Sequence, residues 1–402
     1  MKFISLAVFS AGLVAASTAA FAQKAYGPGV SDTEIKIGNA IPYSGPASAY
    51  GGIGDAESAY YKMINSKGGI NGRKINFISY DDAFSPPKTV EQARKLVEQD
   101  NILAYSGPSC TPCNIAIQKY MNQKKVPHLF LLTGASRWND PKNFPWTVPL
   151  YTAYHDEGQI AAKYFKQVNP DGKIAILYQN DDAGKDYVRG FKAGLGDDVS
   201  RIVAEKAYEI SQPTVDSEIV VLKASGAEKV FIMATPKFGA QAIKKIGELN
   251  WKPLIYITRI TSSIKNVLTP AGIQNSIGIL SALILKEPTD PRWSDEPDMK
   301  EYFAFMKEWM PGKDPTDSSL TAGYYVGWMT VKVLRECGDN LTRENLLKVV
   351  TSQKDVVHPL LQPGISVTFT PDNYFGYNAQ QLVRFNGTTW EPFGPLIKVD
   401  AQ

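Results

Sequence analysis

The 402-residue chain carries 43 Lys and Arg against 40 Asp and Glu, a formal net charge of only +3. That balance, with no basic cluster interleaved with aromatics, argues against a nucleic-acid partner. A mature chain of some 380 residues exceeds what one hydrophobic core usually organises, so two lobes are expected.

The N-terminus reads as an export leader. Lys2 supplies a short positive region, 3–16 is apolar and uncharged, and Ala20-Phe21-Ala22 fits the small-x-small cleavage pattern. Cleavage after Ala22 puts the mature chain in the periplasm with a net charge of +2, since Lys2 leaves with the leader. No Cys follows the site, so a lipid anchor is not expected. No other run is long and apolar enough to span a bilayer.

From residue 34 short apolar runs alternate with amphipathic stretches. Strands are expected at 34–41, 74–80, 102–106 and 128–132. The helices between them carry Ile53, Ala56, Tyr60, Met63 and Ile64 on one face, then Val90, Ala93, Leu96 and Val97, then a third around 115–124. Gly68-Gly69 stops the first helix, and Asn71-Gly72 turns the chain into the second strand. After Pro149 a second series follows: a helix through Ile160 and Phe165, then strands at 173–178, 201–208, 229–234 and 254–257 with helices at 185–195, 215–225 and 239–249. This alternation predicts parallel sheets with right-handed crossovers, hence two similar doubly wound α/β lobes. Helices at 301–310 and 320–337 and one capped by Thr342 precede a tail rich in Pro, Gly and β-formers, which suits segments crossing back between lobes.

No catalytic set is present: no G-x-S-x-G elbow, no H-E-x-x-H, no P-loop, and no G-x-G-x-x-G after a strand. No enzyme activity, cofactor or metal is expected. His128, His155 and His358 stand far apart, and none is near Cys110 or Cys113, so a zinc site lacks ligands. In an oxidising compartment Cys110 and Cys113 are a candidate disulfide, with Cys337 left free. Gly51-Gly52-Ile53-Gly54 opens a helix where an anion could rest or where another backbone approaches closely.

Ligands of open parallel sheets bind at the carboxyl ends of strands. Those ends carry Tyr43, Ser44 and Tyr50, then Asp81-Asp82, then Ser109 to Thr111, then Thr133 to Trp138. In the second series they carry Gln179 to Gly184, Thr235-Pro236-Lys237, and Thr258-Arg259-Ile260-Thr261. Small hydroxyls and glycines at several strand ends leave backbone N–H groups free, a surface suited to a carboxylate.

Ser44-Gly45-Pro46 with Tyr50-Gly51, Lys67 to Gly72, Tyr80-Asp81-Asp82, Gln179 to Asp182 with Gly184, Pro270-Ala271-Gly272 and Leu341 to Asn345 together resemble the periplasmic branched-chain amino acid binding proteins. The motifs span nearly the whole mature chain in the family's order. The resemblance implies a type I periplasmic binding protein fold: lobes of 23–146 plus 282–365 and of 147–281 plus 366–402, joined by three crossovers near 145–149, 279–283 and 364–368. It implies a monomer that hands its ligand to the membrane permease of an ABC importer. By position, Thr111 with Gly134, Ala135 and Ser136 hold the ligand's carboxylate, and Tyr50 forms an aromatic wall. Thr111 and Ser136 also suit turn or helix capping.

Two departures stand out. The family's amino acid binders carry an aromatic where this chain has Ala183, and an acid facing the ligand's ammonium where it has Thr258-Arg259-Ile260-Thr261. If Arg259 lines the cleft rather than pointing to solvent, it repels an ammonium and favours a second acceptor group. With the space left by Ala183, this points to an aromatic or otherwise extended organic acid. Tyr151 and Tyr154 are candidates for ring contacts or hinge packing. The segments Gly134 to Ser136 and Asn180 to Asp182 resemble those of aromatic-acid carriers. The amino acid alternative needs Asp182 as the ammonium partner, and a ligand-sensing receptor is a further alternative.

Overall fold

The computed structural model describes residues 24–398. The expected leader and its cleavage site lie outside the described residues. Among the described residues no helix is long and apolar enough to cross a membrane.

The first sheet is built from β1 (Glu34–Ile41), β2 (Lys74–Asp81), β3 (Ala104–Ser106), β4 (His128–Leu131) and β5 (Thr147–Pro149), all parallel in the order β2-β1-β3-β4-β5. Helices α1 (Gly51–Ser66), α2 (Pro86–Glu98) and α3 (Thr111–Gln123) connect them. In β1 Ile35, Ile37 and Ile41 are buried, as a strand covered on its faces requires. Phe130 in β4 has φ 56° beside a register shift between Leu129 and Leu131, so a bulge re-aims the strand end at Leu132 and Thr133.

After α4 (Tyr154–Val168), the second sheet runs through β6 (Ile174–Gln179), β7 (Ile202–Tyr208), β8 (Lys229–Met233), β9 (Leu254–Ile257) and β10 (Leu280–Leu283). Its helices are α5 (Asp182–Leu195), α6 (Asp216–Ala224) and α7 (Pro236–Glu248). The strand order is β7-β6-β8-β9-β10, all parallel, extended by two antiparallel strands, β11 (Ala379–Phe385) and β12 (Trp390–Pro392). Parallel pairing of strands joined by helices reflects the buried apolar runs in the sequence; Ile174, Ala175, Ile176 and Leu177 are all inaccessible to solvent.

The late helices return to the first lobe. In sequence order these are α8 (Pro297–Trp309), α9 (Ser318–Glu336) and α10 (Arg343–Thr351). α9 packs on α1 so closely that a Cβ on Gly323 would stand 2.2 Å from the Ile53 carbonyl. Likewise α4 and α5 cross at Gly190, where a Cβ would come within 2.1 Å of the His155 carbonyl. These two contacts fix the helices that carry much of the cleft. β5 pairs with β4 and so belongs to the first sheet, which the chain leaves after Pro149.

Candidate functional site

The carboxyl ends of both sheets face one another across a cavity of about 130 Å³. Strand-end loops from each lobe line it, and the segment after β10 and the start of α9 close its remaining side.

The first lobe contributes neutral hydroxyls. Thr111, at the start of α3, lies 2.5 Å from Thr133 through their hydroxyl oxygens. Cys110 caps this helix, its sulfur accepting from the Cys113 N–H, and the two cysteines form a disulfide; Cys337 is free and buried. The buried Ser109 hydroxyl has no partner among the described residues. Tyr154 stacks on Tyr187 with ring centroids 4.3 Å apart. Burial raises the Tyr154 phenol to about 12, against the opposing influence of the Thr133 and Thr111 hydroxyls and the Gly134 backbone. Burial likewise holds the Tyr50 phenol well above its ordinary range, with Tyr151, Tyr154, Tyr208 and Asp181 adding to the rise.

The second lobe contributes charge. Arg259 opens a 3₁₀ turn after β9 and lies against the cavity with its Cζ 4.1 Å from the Tyr151 ring centroid, a cation–π contact. Its Nη1 is buried and has no hydrogen-bond partner among the described residues. Its backbone N–H donates to Glu157 Oε1 at 2.6 Å, and the Tyr187 hydroxyl donates to Oε2 at 2.8 Å. Glu157 is fully buried on α4, and burial pushes its carboxyl up to about 7, with these two hydrogen bonds and the Arg259 charge opposing the rise. A buried guanidinium N–H without an acceptor is costly, and an anionic ligand relieves that cost.

Of the residues expected from sequence, Tyr50, Thr111, Tyr154, Ala183, Thr235 and Arg259 line the cavity. Thr235 is committed elsewhere: its hydroxyl donates to Gln179 and its N–H to the Tyr208 hydroxyl, so it shapes the wall. Gly134, Ala135 and Ser136 are not among the residues that line the cavity. Ser136 donates its N–H (2.6 Å) and its hydroxyl (3.0 Å) to Asp186 on α5, joining the lobes, and the Gly134 carbonyl accepts from the Tyr154 N–H. Asp182 is exposed on the first turn of α5 and outside the cavity; its neighbour Asp181 faces inward instead. Asp181 caps α5 by accepting from the Gly184 N–H and also accepts from Gln179. Asp81 and Asp82 are structural as well, the first accepting from Ser44 and the second from the Phe84 N–H and the Thr89 hydroxyl.

Sequence reasoning missed Glu157, which sits in the first turn of α4, and the wall formed by 283–288 and 316–322. The small hydroxyls Ser318, Ser319 and Thr321 were the one signal that could have marked that wall.

A family profile described as periplasmic binding protein matches residues 34–384. A Leu/Ile/Val-binding protein of Escherichia coli is 30% identical over 166 residues, 40% of this chain and 44% of that protein. An amino acid binding protein of Pseudomonas aeruginosa is 24% identical over 202 residues, 49% of this chain and 53% of that protein. The chain spans about half the length of the curated relatives it matches. Among solved structures, a branched-chain amino acid ABC transporter protein from Thermus thermophilus with bound valine superposes with a TM-score of 0.82 at 16% identity, covering 92% of this chain and 98% of that one. A solute-binding protein from R. palustris in complex with benzoate gives a TM-score of 0.76 at 18% identity, with the same two coverages. These likenesses show the type I periplasmic binding protein fold, and the extent of the profile match is decisive: the chain belongs to the periplasmic binding protein family.

Proposed function

We propose that this chain is the periplasmic solute-binding receptor of an ABC importer, and that its ligand is a small organic carboxylate with an aromatic or extended apolar body. The observation that carries the reading is Arg259, whose unpartnered, buried Nη1 lies at a cavity lined mainly by hydroxyls, tyrosines and apolar side chains, with Asp181, Lys286 and Glu287 as its other charged groups. Arg259 Nη1 and the Ser109 hydroxyl have no hydrogen-bond partner among the described residues, so a carboxylate would supply the missing acceptors. Tyr50, Tyr151, Phe84 and Met233 surround the body of the ligand, and Ala183 leaves room beside them. That one fold neighbour holds benzoate fits this chemistry. Closure of the lobes, held by the Ser136–Asp186 contacts, presents the loaded receptor to a membrane permease. The ligand is bound and released unchanged.

Another fold neighbour holds valine, and an amino acid requires an acid for its ammonium. Asp182 is exposed and Asp181 is committed to capping α5, which leaves Glu287, on the far wall, as the one lining acid open to an ammonium. Calorimetry against benzoates, cinnamates and aliphatic amino acids decides between them. Binding of the acids supports the proposal; tight binding of leucine with none of the acids overturns it.

A further inference from the structure

The far wall of the cavity, built by the segment after β10 and the first turn of α9, holds an acid that the carboxylate reading does not use. Glu287 lines the cavity there, in a segment crossing from the second sheet toward the first lobe. Its Oε1 receives only long contacts from Thr289, 3.4 Å from the N–H and 3.3 Å from the hydroxyl. Its Oε2 has no hydrogen bond among the described residues.

The nearby cations are spent on other acids. Lys286 is ion-paired with Glu296 and also donates to the Pro359 carbonyl at 3.2 Å, and Arg292 is paired with Asp290. Three of the surrounding hydroxyls are committed too: Ser319 to the Ala49 carbonyl, Thr316 to Asp314, and Thr321 to the Ser318 carbonyl. Burial raises the Glu287 carboxyl to about 7, with Asp290 adding to the rise and the Thr289 contacts opposing it. Glu287 is half-buried and faces the cavity with one carboxylate oxygen that lacks a protein donor, so a donor on the ligand would gain a hydrogen bond there. The cavity therefore has two unsatisfied poles of opposite kind, Arg259 on one wall and Glu287 on another.

Resting on the carboxylate reading above, we infer that Glu287 is the specificity residue for the ligand's distal end, and that the preferred ligand is an acid bearing a hydroxyl or amino hydrogen-bond donor away from its carboxylate. Such a donor reaches Glu287 while the carboxylate meets Arg259 and the hydroxyl wall. A plain hydrocarbon tail leaves Glu287 unpaired.

The test titrates the full mature protein and Glu287→Gln with benzoate, 4-hydroxybenzoate and 4-aminobenzoate by calorimetry. The wild type is expected to prefer at least one donor-bearing acid over benzoate by about tenfold or more, the usual weight of a hydrogen bond to a charged group. Comparison of the two substituted acids tells hydroxyl from amine. In Glu287→Gln the affinity for the donor-bearing acids falls by a larger factor than that for benzoate, so the preference collapses. A wild type without preference overturns the inference even if the variant misfolds, because that arm needs no mutation. Equal weakening of all three acids in the variant also overturns it, since that marks a structural role. If no acid binds but leucine does, the functional reading itself has failed, a distinct outcome.

Discussion

The two faces of the cleft differ in kind. The strand ends of the first sheet present hydroxyls that partly satisfy one another, as Thr111 and Thr133 do, and bring no charged side chain to the cavity. The second lobe presents Arg259 with Glu157 behind it, a guanidinium whose backbone is fixed by a buried carboxyl. A neutral hydroxyl wall accepts many oxygen-bearing groups, because each hydroxyl can turn to donate or accept. A fixed guanidinium does not turn its preference. On the proposed carboxylate reading, the difference teaches that affinity would be shared between the two faces, whereas recognition of the anionic end by charge would rest with Arg259.

The largest expected effect removes that selection. Arg259→Ala should weaken carboxylate binding by about 2–5 kcal/mol, as for truncation of one partner of a buried charge pair. Calorimetry with the best acid measures it, and an unchanged Kd would show that the charge faces no ligand.

Next comes the acid behind it. Glu157 ionises near 4.5 when unfolded and near 7 in the folded chain. Between those values the unfolded chain releases a proton that the folded one keeps, so this group makes stability fall as pH rises, by up to about 3 kcal/mol above pH 7. Glu157→Gln should therefore gain on the wild type between pH 5 and pH 8 in urea unfolding. Parallel pH profiles for the two proteins would count against the raised value.

Ala183→Phe probes the room beside the charged wall. A ring there should cost an aromatic acid about 1–3 kcal/mol through overpacking while sparing short ligands, read from the ratio of the two affinities. Thr111→Val tests the hydroxyl wall and should cost about 0.5–1.5 kcal/mol. A loss as large as that of Arg259→Ala would reverse the ranking of the two faces.

Much of the fold was legible locally. Strands β1 and β9 and the capping of α10 by Thr342 follow from apolar periodicity and cap chemistry, which need only neighbours in sequence. Placement of Tyr50, Thr111, Ala183 and Arg259 at the cavity followed from one rule, that parallel sheets present their strand ends to ligand. The rule failed where polar groups found protein partners first. Ser136 lies at a strand end, yet Asp186, fifty residues away, takes its donors.

What the sequence determined by itself was therefore the alternation of elements, the two lobes and the surface from which a site is drawn, because these depend on patterns a few residues long. Only the tertiary structure decided which of the paired acids Asp181 and Asp182 turns inward, that Glu157 anchors Arg259, and that Glu287 shares the cavity. Each of those depends on how residues distant in the chain divide a limited set of donors and acceptors, and that division is settled only when the lobes are packed together.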